Sequence, residues 1–135
     1  MAQKENNIIP MIFDEAFYRK MATQKWRQQD YKKAAEYYEK VLELSPKDFD
    51  IQQHYAQCLV KLNIGKKAER LFYENIVKDF HVAESFYELS QLNIELNEPN
   101  KAFLFGINYV ILSDDKDFRE MLEKTFEAVS YTHLT

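Results

Sequence analysis

The stretch DYKKAAEYYEKVLEL, residues 30–44, decides the fold because two related stretches follow it at a fixed distance. They are IGKKAERLFYENIVK at residues 64–78 and EPNKAFLFGINYVIL at residues 98–112. Each stretch contains a Lys that is followed directly by an Ala, and successive copies of that Ala are 34 positions apart. A fixed period of this length indicates a repeat architecture. The repeated positions are Ala34, Ala68 and Ala102.

Side chains around each Ala recur at helical spacing. Positions four and eight residues after the Ala lie on one face of a helix with it. Those positions hold Tyr38, Phe72 and Gly106, and then Leu42, Ile76 and Val110. A second periodic stretch precedes each Ala and carries a small residue, which is Ala22, Ala56 or Ser90. Each unit therefore predicts two amphipathic helices, named A and B, and we expect the repeated small residues to be buried where the helices approach closely. The predicted A helices are 15–28, 49–62, 83–96 and 116–127, and the predicted B helices are 31–44, 65–78 and 99–112.

The period, the repeated Ala and the small residue in helix A together resemble the tetratricopeptide repeat family. Pro46 stands where that family ends its unit with a proline. The pattern departs from the family late in helix A, where Lys25 and Asn93 replace a large apolar residue and Trp26 and Ile94 follow one position on. The resemblance implies an all-α, right-handed α-solenoid of helix-turn-helix repeats plus a terminal helix. We expect an N-terminal arm at 1–14, repeats at 15–48, 49–82 and 83–116, and the terminal helix at 116–127.

The amino-acid composition limits the fold classes and the partners that are expected for this chain. Two Gly and three Pro in 135 residues favour helices joined by short connections. A net charge of −4 gives no electrostatic reason to expect nucleic acid. The single Cys58 cannot form an internal disulfide. The longest apolar stretch, 102–112, is too short to span a bilayer, so we expect no membrane partner and a cytoplasmic location.

The last residues have an unusual sequence. Residues 129–135 read VSYTHLT, which resembles one translation frame of a transposon sequencing adaptor. We expect residues 128–135 to be an artefact of that kind, and the alternative is a genuine polar tail. The first reading implies that the gene product continues beyond this fragment.

No catalytic or metal-binding motif emerges from the sequence. Gly65 and Gly106 stand alone, so neither belongs to a phosphate-binding loop. His54 and Cys58 are four residues apart, but two ligands do not make a zinc site. We expect no metal, no cofactor and no enzyme activity.

The resemblance also implies a concave groove that is lined by the A helices and binds a peptide or protein segment. Three Gln side chains could hold a peptide backbone, or they could form a solvated face. Trp26 could anchor a ligand or could be core. A carboxylate clamp, which some family members use, is disfavoured because Glu84 and Glu88 stand where cations are needed. The groove positions are Arg19, Thr23, Trp26, Arg27, Gln53, Gln57, Val60, Lys61, Glu84, Tyr87, Gln91, Ile94 and Glu95.

The outer faces of the B helices become apolar along the chain. The first is charged, whereas the later ones carry the positions of an expected convex patch: Tyr73, Val77, Leu104, Ile107 and Ile111. Such a patch indicates either cover by other sequence or contact with a partner. The leading hypothesis is a non-catalytic protein-interaction scaffold with a groove for a peptide or protein. The alternatives are a structural segment that self-associates through this patch, and a non-catalytic part of a larger enzyme or regulator.

Overall fold

The computed structural model describes the backbone of residues 14–134 and the side chains of residues 14–127. The expected arm, except for Asp14, and the last residue lie outside the described residues, as do all side chains of the expected artefact. Within the described range the chain forms α-helices and no strand, which confirms the predicted all-α class. The helices are α1 Glu15–Arg27, α2 Tyr31–Leu44, α3 Phe49–Lys61, α4 Gly65–Val77, α5 Val82–Glu95, α6 Pro99–Ser113 and α7 Lys116–Leu134.

The helix bounds follow the repeat pattern closely. Helices α1 to α6 each begin and end within one residue of the predicted bounds. Helix α7 begins at the predicted residue, 116, but continues to Leu134 instead of ending at 127. The predicted end was therefore wrong for this helix.

The chain divides into two compact units, residues 1–71 and residues 72–135, and the division falls within α4. In the first unit, α2 packs against both α1 and α3. In the second unit, α6 packs against both α5 and α7. An A helix, its B helix and the next A helix are thus consecutive neighbours inside each unit.

Aspartate residues start several of these helices. Asp14, Asp30 and Asp48 each precede a helix and accept a hydrogen bond from a backbone N–H three residues later. The bond lengths are 2.9, 3.2 and 3.1 Å respectively. A side-chain oxygen in this position satisfies a donor that has no partner within the helix. Asp30 thus caps the start of α2.

The repeated small residues are completely buried. Ala34, Ala68 and Ala102 each expose 0% of their surface, as the sequence predicts. The same is true of the recurring small residue of helix A, which is Ala22, Ala56 or Ser90. In the third copy the hydroxyl of Ser90 donates a 2.8 Å hydrogen bond to the backbone oxygen of Ala102, which joins α5 directly to α6. Small side chains at these places allow neighbouring helices to approach closely.

The third repeat replaces the large residue that follows the Ala by Gly106. A Cβ atom built there would lie 2.7 and 2.9 Å from the two Cδ atoms of Leu122. Leu122 belongs to α7 and exposes only 3% of its surface. The absent side chain at Gly106 therefore makes room for a Leu from the following helix.

The turns between helices A and B repeat one backbone conformation. Gln29, Asn63 and Asn97 are 34 positions apart and have φ values of 60°, 62° and 58°. In each turn the residue that follows donates its N–H to a carbonyl five residues earlier. These hydrogen bonds join Asp30 to Lys25 at 2.9 Å, Ile64 to Leu59 at 2.8 Å and Glu98 to Asn93 at 2.8 Å. The pattern is a Schellman motif, which ends a helix with one left-handed residue.

The first turn has the least suitable side chain for this conformation, because Asn tolerates positive φ better than Gln does. We predict that Gln29→Gly raises the free energy of unfolding by about 0.5–1 kcal/mol, since Gly adopts positive φ without the steric cost. Urea denaturation monitored by circular dichroism measures the change. Gln28→Gly is the matched control, since Gln28 has φ −80° and gains nothing from Gly. If Gln29→Gly lowers stability as much as the control does, the left-handed turn is not strained.

Candidate functional site

The first groove position, Arg19, is held by a network of polar side chains in the first unit. Its guanidinium Nε donates to Glu15 Oε1 at 2.9 Å, and its Nη2 donates to both Glu15 and Asp48. Ser45 completes the network by donating its hydroxyl to Glu15 Oε2 at 2.8 Å. Asp48 also caps α3 through Ile51. Arg19 therefore ties α1 to the turn between α2 and α3.

These contacts lower the pKa values of both carboxyl groups in the network. Hydrogen bonds from Arg19 and then from Ser45 lower the pKa of Glu15 below its ordinary value. Burial pushes the pKa of Asp48 upward, but hydrogen bonds from Arg19 and from the Ile51 N–H lower it by more. Both carboxylates are thus ionised in the folded protein. They compensate much of the positive charge of Arg19.

The next groove positions on α1 differ in how much they are exposed. Thr23 is exposed, and its hydroxyl donates a 3.0 Å hydrogen bond to the backbone oxygen of Arg19. Trp26 is half-buried, and its ring lies 5.2 Å from the ring of Tyr31 in an edge-to-face arrangement. Since Tyr31 begins α2, Trp26 contributes to packing between the two helices and still presents part of its surface to solvent.

On α3, the structure changes one prediction. Gln53 exposes only 2% of its surface, so it cannot present its amide to a ligand in this conformation. The sequence pattern misplaced it because a polar side chain at a repeated A-helix position was taken to be open to solvent. Gln57 and Val60 are half-buried and remain accessible. We therefore leave Gln53 out of the binding surface.

On α5, the predicted aromatic residue is part of a packed trio. The ring of Tyr87 lies 5.1 Å from that of Tyr109 and 5.3 Å from that of Phe118. The Tyr109 and Phe118 rings are 5.0 Å apart. Edge-to-face and tilted contacts of this kind stabilise a fold. Tyr87 is half-buried, so its first role is to hold α5, α6 and α7 together.

The remaining α5 positions are accessible. Gln91 is half-buried, and Ile94 exposes 38% of its surface. Asn93, one residue before Ile94, is completely buried. Its Nδ2 donates to the Leu89 backbone oxygen at 2.8 Å, while its Oδ1 has no hydrogen-bond partner among residues 14–127. Asn93 thus keeps the family's buried position, and the exposed Ile94 does not replace it.

His54 and Cys58 differ in how far they are exposed to solvent. Cys58 is completely buried, and this burial raises the pKa of its thiol to about 12. His54 is exposed and stacks on Tyr38 with a ring separation of 6.0 Å. In the part of the chain that the structure describes, no group of three or more His, Cys, Asp or Glu side chains could hold a metal ion.

The predicted convex patch lies in the second unit and is largely open. Val77, Ile111 and Leu104 expose 79%, 73% and 60% of their surfaces. Tyr73 is 37% exposed, and its ring lies 5.7 Å from that of Phe105. Ile107 is half-buried and lines a cleft of about 450 Å³ between α6 and α7.

Sequence reasoning missed a second cleft, which runs along α1 in the first unit. It is lined by both predicted and unpredicted residues, and the unpredicted ones are Lys20, Gln24 and Gln28. Their spacing of four residues along one helix was visible in the sequence, but the groove positions carried over from the family did not include them.

Comparisons with known proteins agree with this architecture. Residues 25–72 match the model of the tetratricopeptide repeat family. Residues 25–72 are therefore similar in sequence to tetratricopeptide repeats, in agreement with the resemblance seen in the repeat pattern. Among the solved structures that match is the crystal structure of MamA protein, with a TM-score of 0.74 and 19% sequence identity. That match covers 85% of this chain and 63% of the MamA chain, so this chain spans less than two thirds of its structural relative. No curated protein matches the chain in sequence.

Among the described residues, none of the helices combines the length and the apolar character that crossing a membrane requires.

The Arg19 network predicts a dependence of stability on pH. Because the folded pKa values of Glu15 and Asp48 lie below their unfolded values, their contribution is present above about pH 4 and is lost as the pH falls through the folded values. We expect the urea midpoint to fall steeply in this acidic range. Arg19→Met should lower the midpoint at neutral pH and make the acidic fall shallower. An unchanged slope in Arg19→Met would mean that other carboxylates produce the pH dependence.

Proposed function

We propose that this chain is a non-catalytic protein-interaction scaffold and that its A helices bind an extended peptide or protein segment. One observation carries the proposal. Thr23, Gln57 and Gln91 occupy the same position in α1, α3 and α5, and none of them is buried. A hydrogen-bonding side chain thus recurs at an accessible place in every repeat. The family match supports an interaction role of this kind.

A second recurring position lies three residues further along each A helix. It holds Trp26, Val60 and Ile94, which are half-buried or exposed. Residues three apart are neighbours on a helix surface. Each A helix therefore offers a polar group beside an apolar one.

This pairing suits an extended polypeptide. A Gln side chain can both donate to and accept from a peptide backbone. The adjacent apolar side chain can cover an apolar side chain of the ligand, which supplies affinity without demanding one sequence. Within the first unit, α1 and α3 each carry such a pair, and α5 carries one within the second unit.

The ligand we propose is an internal segment rather than a chain terminus. A clamp for a terminal carboxylate needs cations on α5, where this chain has Glu84 and Glu88. Like charges would repel a carboxylate at that place. We therefore expect binding to survive when the ligand's C-terminus is an amide.

A display selection with amidated peptides tests the proposal. We predict that Gln57→Ala and Gln91→Ala each weaken the selected peptides about five-fold or more, since a net hydrogen bond contributes about 1 kcal/mol. Isothermal titration calorimetry measures the affinities, and thermal melts verify that both variants remain folded.

Two matched variants complete this experiment. Asn108→Ala changes an exposed amide on a B helix and should leave the affinity unchanged. Tyr87→Phe keeps the packed aromatic trio and removes one hydroxyl, so it reports whether that hydroxyl contacts the ligand. Full affinity in both Gln variants would overturn the proposed surface, and a requirement for a free C-terminal carboxylate would overturn the exclusion of the clamp.

Self-association is a second candidate function, favoured by the exposure of the convex patch. A contiguous apolar patch is uncommon on the surface of a monomer unless it binds something, and Leu104, Ile107 and Ile111 follow one face of α6. The patch lies on B helices, so this function would leave the A helices free.

Light scattering across a concentration series tests the second candidate. We predict that Leu104→Glu/Ile111→Lys reduces self-association while leaving the helix content unchanged, because both side chains are already exposed. Leu44→Glu is the matched control, since Leu44 is 55% exposed on α2 in the first unit. A wild-type chain that stays monomeric at every concentration, or a Leu44→Glu variant that dissociates equally, would exclude this function.

A further inference from the structure

The cleft along α1 has a distinctive composition. Its volume is about 610 Å³. Three of its lining side chains are cations, two are amides and one is a hydroxyl, and none is a carboxylate. These residues are Arg19, Lys20, Thr23, Gln24, Arg27 and Gln28.

The three cations are not equivalent. Arg19 is bonded to Glu15 and Asp48, so its charge is largely compensated. Lys20 and Arg27 are exposed, and neither forms an ion pair within the part of the chain that the structure describes. The cleft therefore carries a positive charge that the described residues do not neutralise.

Helix geometry fixes the distance between these two charges. Lys20 and Arg27 are seven residues apart, which is two helical turns, so they lie on the same face about 10 Å apart along the axis. Gln24 lies between them on that face. A polyproline II segment repeats every three residues over about 9 Å. Carboxylates that are separated by two residues in such a segment match the two cations.

The other A helices carry different side chains at these positions. In the third repeat, Glu88 and Glu95 occupy the places of Lys20 and Arg27. In the second repeat these places hold His54 and Lys61, so among α1, α3 and α5 it is α1 that has Lys or Arg at both positions.

We propose that the α1 cleft binds an acidic segment of a partner protein, with two carboxylate side chains separated by two residues in an extended conformation. The inference rests on the proposed peptide-binding function and specifies the ligand class of one part of that surface. Lys20 and Arg27 contact the two carboxylates, and Gln24 bonds to the backbone between them. The terminal carboxylate of the partner plays no part.

Fluorescence anisotropy on the full chain tests the proposal. The probe is a labelled, amidated, Pro-rich peptide with two Glu residues separated by two others. Lys20→Glu/Arg27→Glu should weaken its binding about ten-fold or more, because attraction becomes repulsion at both contacts. Lys32→Glu/Lys47→Glu is the matched control: it changes the net charge equally at exposed positions of the same unit, and it should weaken binding about two-fold at most.

Two further peptides test the chemistry and the spacing. Replacing both Glu by Gln, or placing the two Glu side by side, should weaken binding to the wild-type chain. Equal losses in the two double variants would show general electrostatic attraction and overturn the proposal. A phosphoserine peptide that binds while the Glu peptide does not would also overturn it, in favour of phosphate recognition.

The peptides selected by display separate this inference from the proposed function. If they bind through Gln57 and Gln91 but lack acidic pairs and bind Lys20→Glu/Arg27→Glu normally, the inference fails while the proposed function stands. If no peptide binds the wild-type chain, both fail.

Discussion

Close approach between neighbouring helices is the constraint on which this structure depends. Two helices can pack backbone to backbone only where the facing side chains are small. The chain meets this requirement with a small residue in helix A and an Ala in helix B of every repeat, and all of them are completely buried. The contact between Ser90 and the Ala102 backbone shows how close the helices are in the third repeat. Larger side chains then pack around these contacts, as Trp26 and Tyr31 do in the first repeat.

The turns between helices A and B have the same backbone conformation in each repeat, so the two helices are joined in the same way each time. A Schellman motif with one left-handed residue fixes the direction in which the chain leaves each A helix. The same hydrogen bonds recur around Gln29, Asn63 and Asn97, although the three side chains are not identical. Backbone hydrogen bonding therefore determines the turn conformation. The side chain only changes the steric energy of placing a residue at positive φ. The A and B helices of each repeat are therefore joined in the same way, and equivalent side chains recur in equivalent local surroundings.

The period of the sequence predicted the helices, the bounds of α1 to α6 and the buried small residues, because these depend on local spacing and on side-chain size. The candidate site was less predictable, since exposure depends on which neighbouring atoms cover a side chain. Gln53 is buried, and Arg19 is engaged by Glu15 and Asp48, although both positions looked like groove positions. The left-handed turns could have been recognised from the Asn at 63 and 97, but Gln29 breaks that pattern. The contacts that bury Gln53 and join Arg19 to Asp48 come from distant parts of the chain, so the residue spacing within one helix cannot reveal them.

The third repeat keeps the helix arrangement of the other repeats but has different residue types at two buried positions. Its A helix buries Asn93 where the second repeat buries Leu59, and a buried amide with one open acceptor costs stability that an apolar side chain would not. Its B helix has Gly106 instead of an aromatic residue, and Leu122 of α7 packs in the space. The second unit therefore relies on α7, through Leu122 and the aromatic trio that includes Phe118, for packing that the first unit obtains within its own repeats. This reliance follows from the Gly: a repeat that gives up its own large side chain must take one from the next helix.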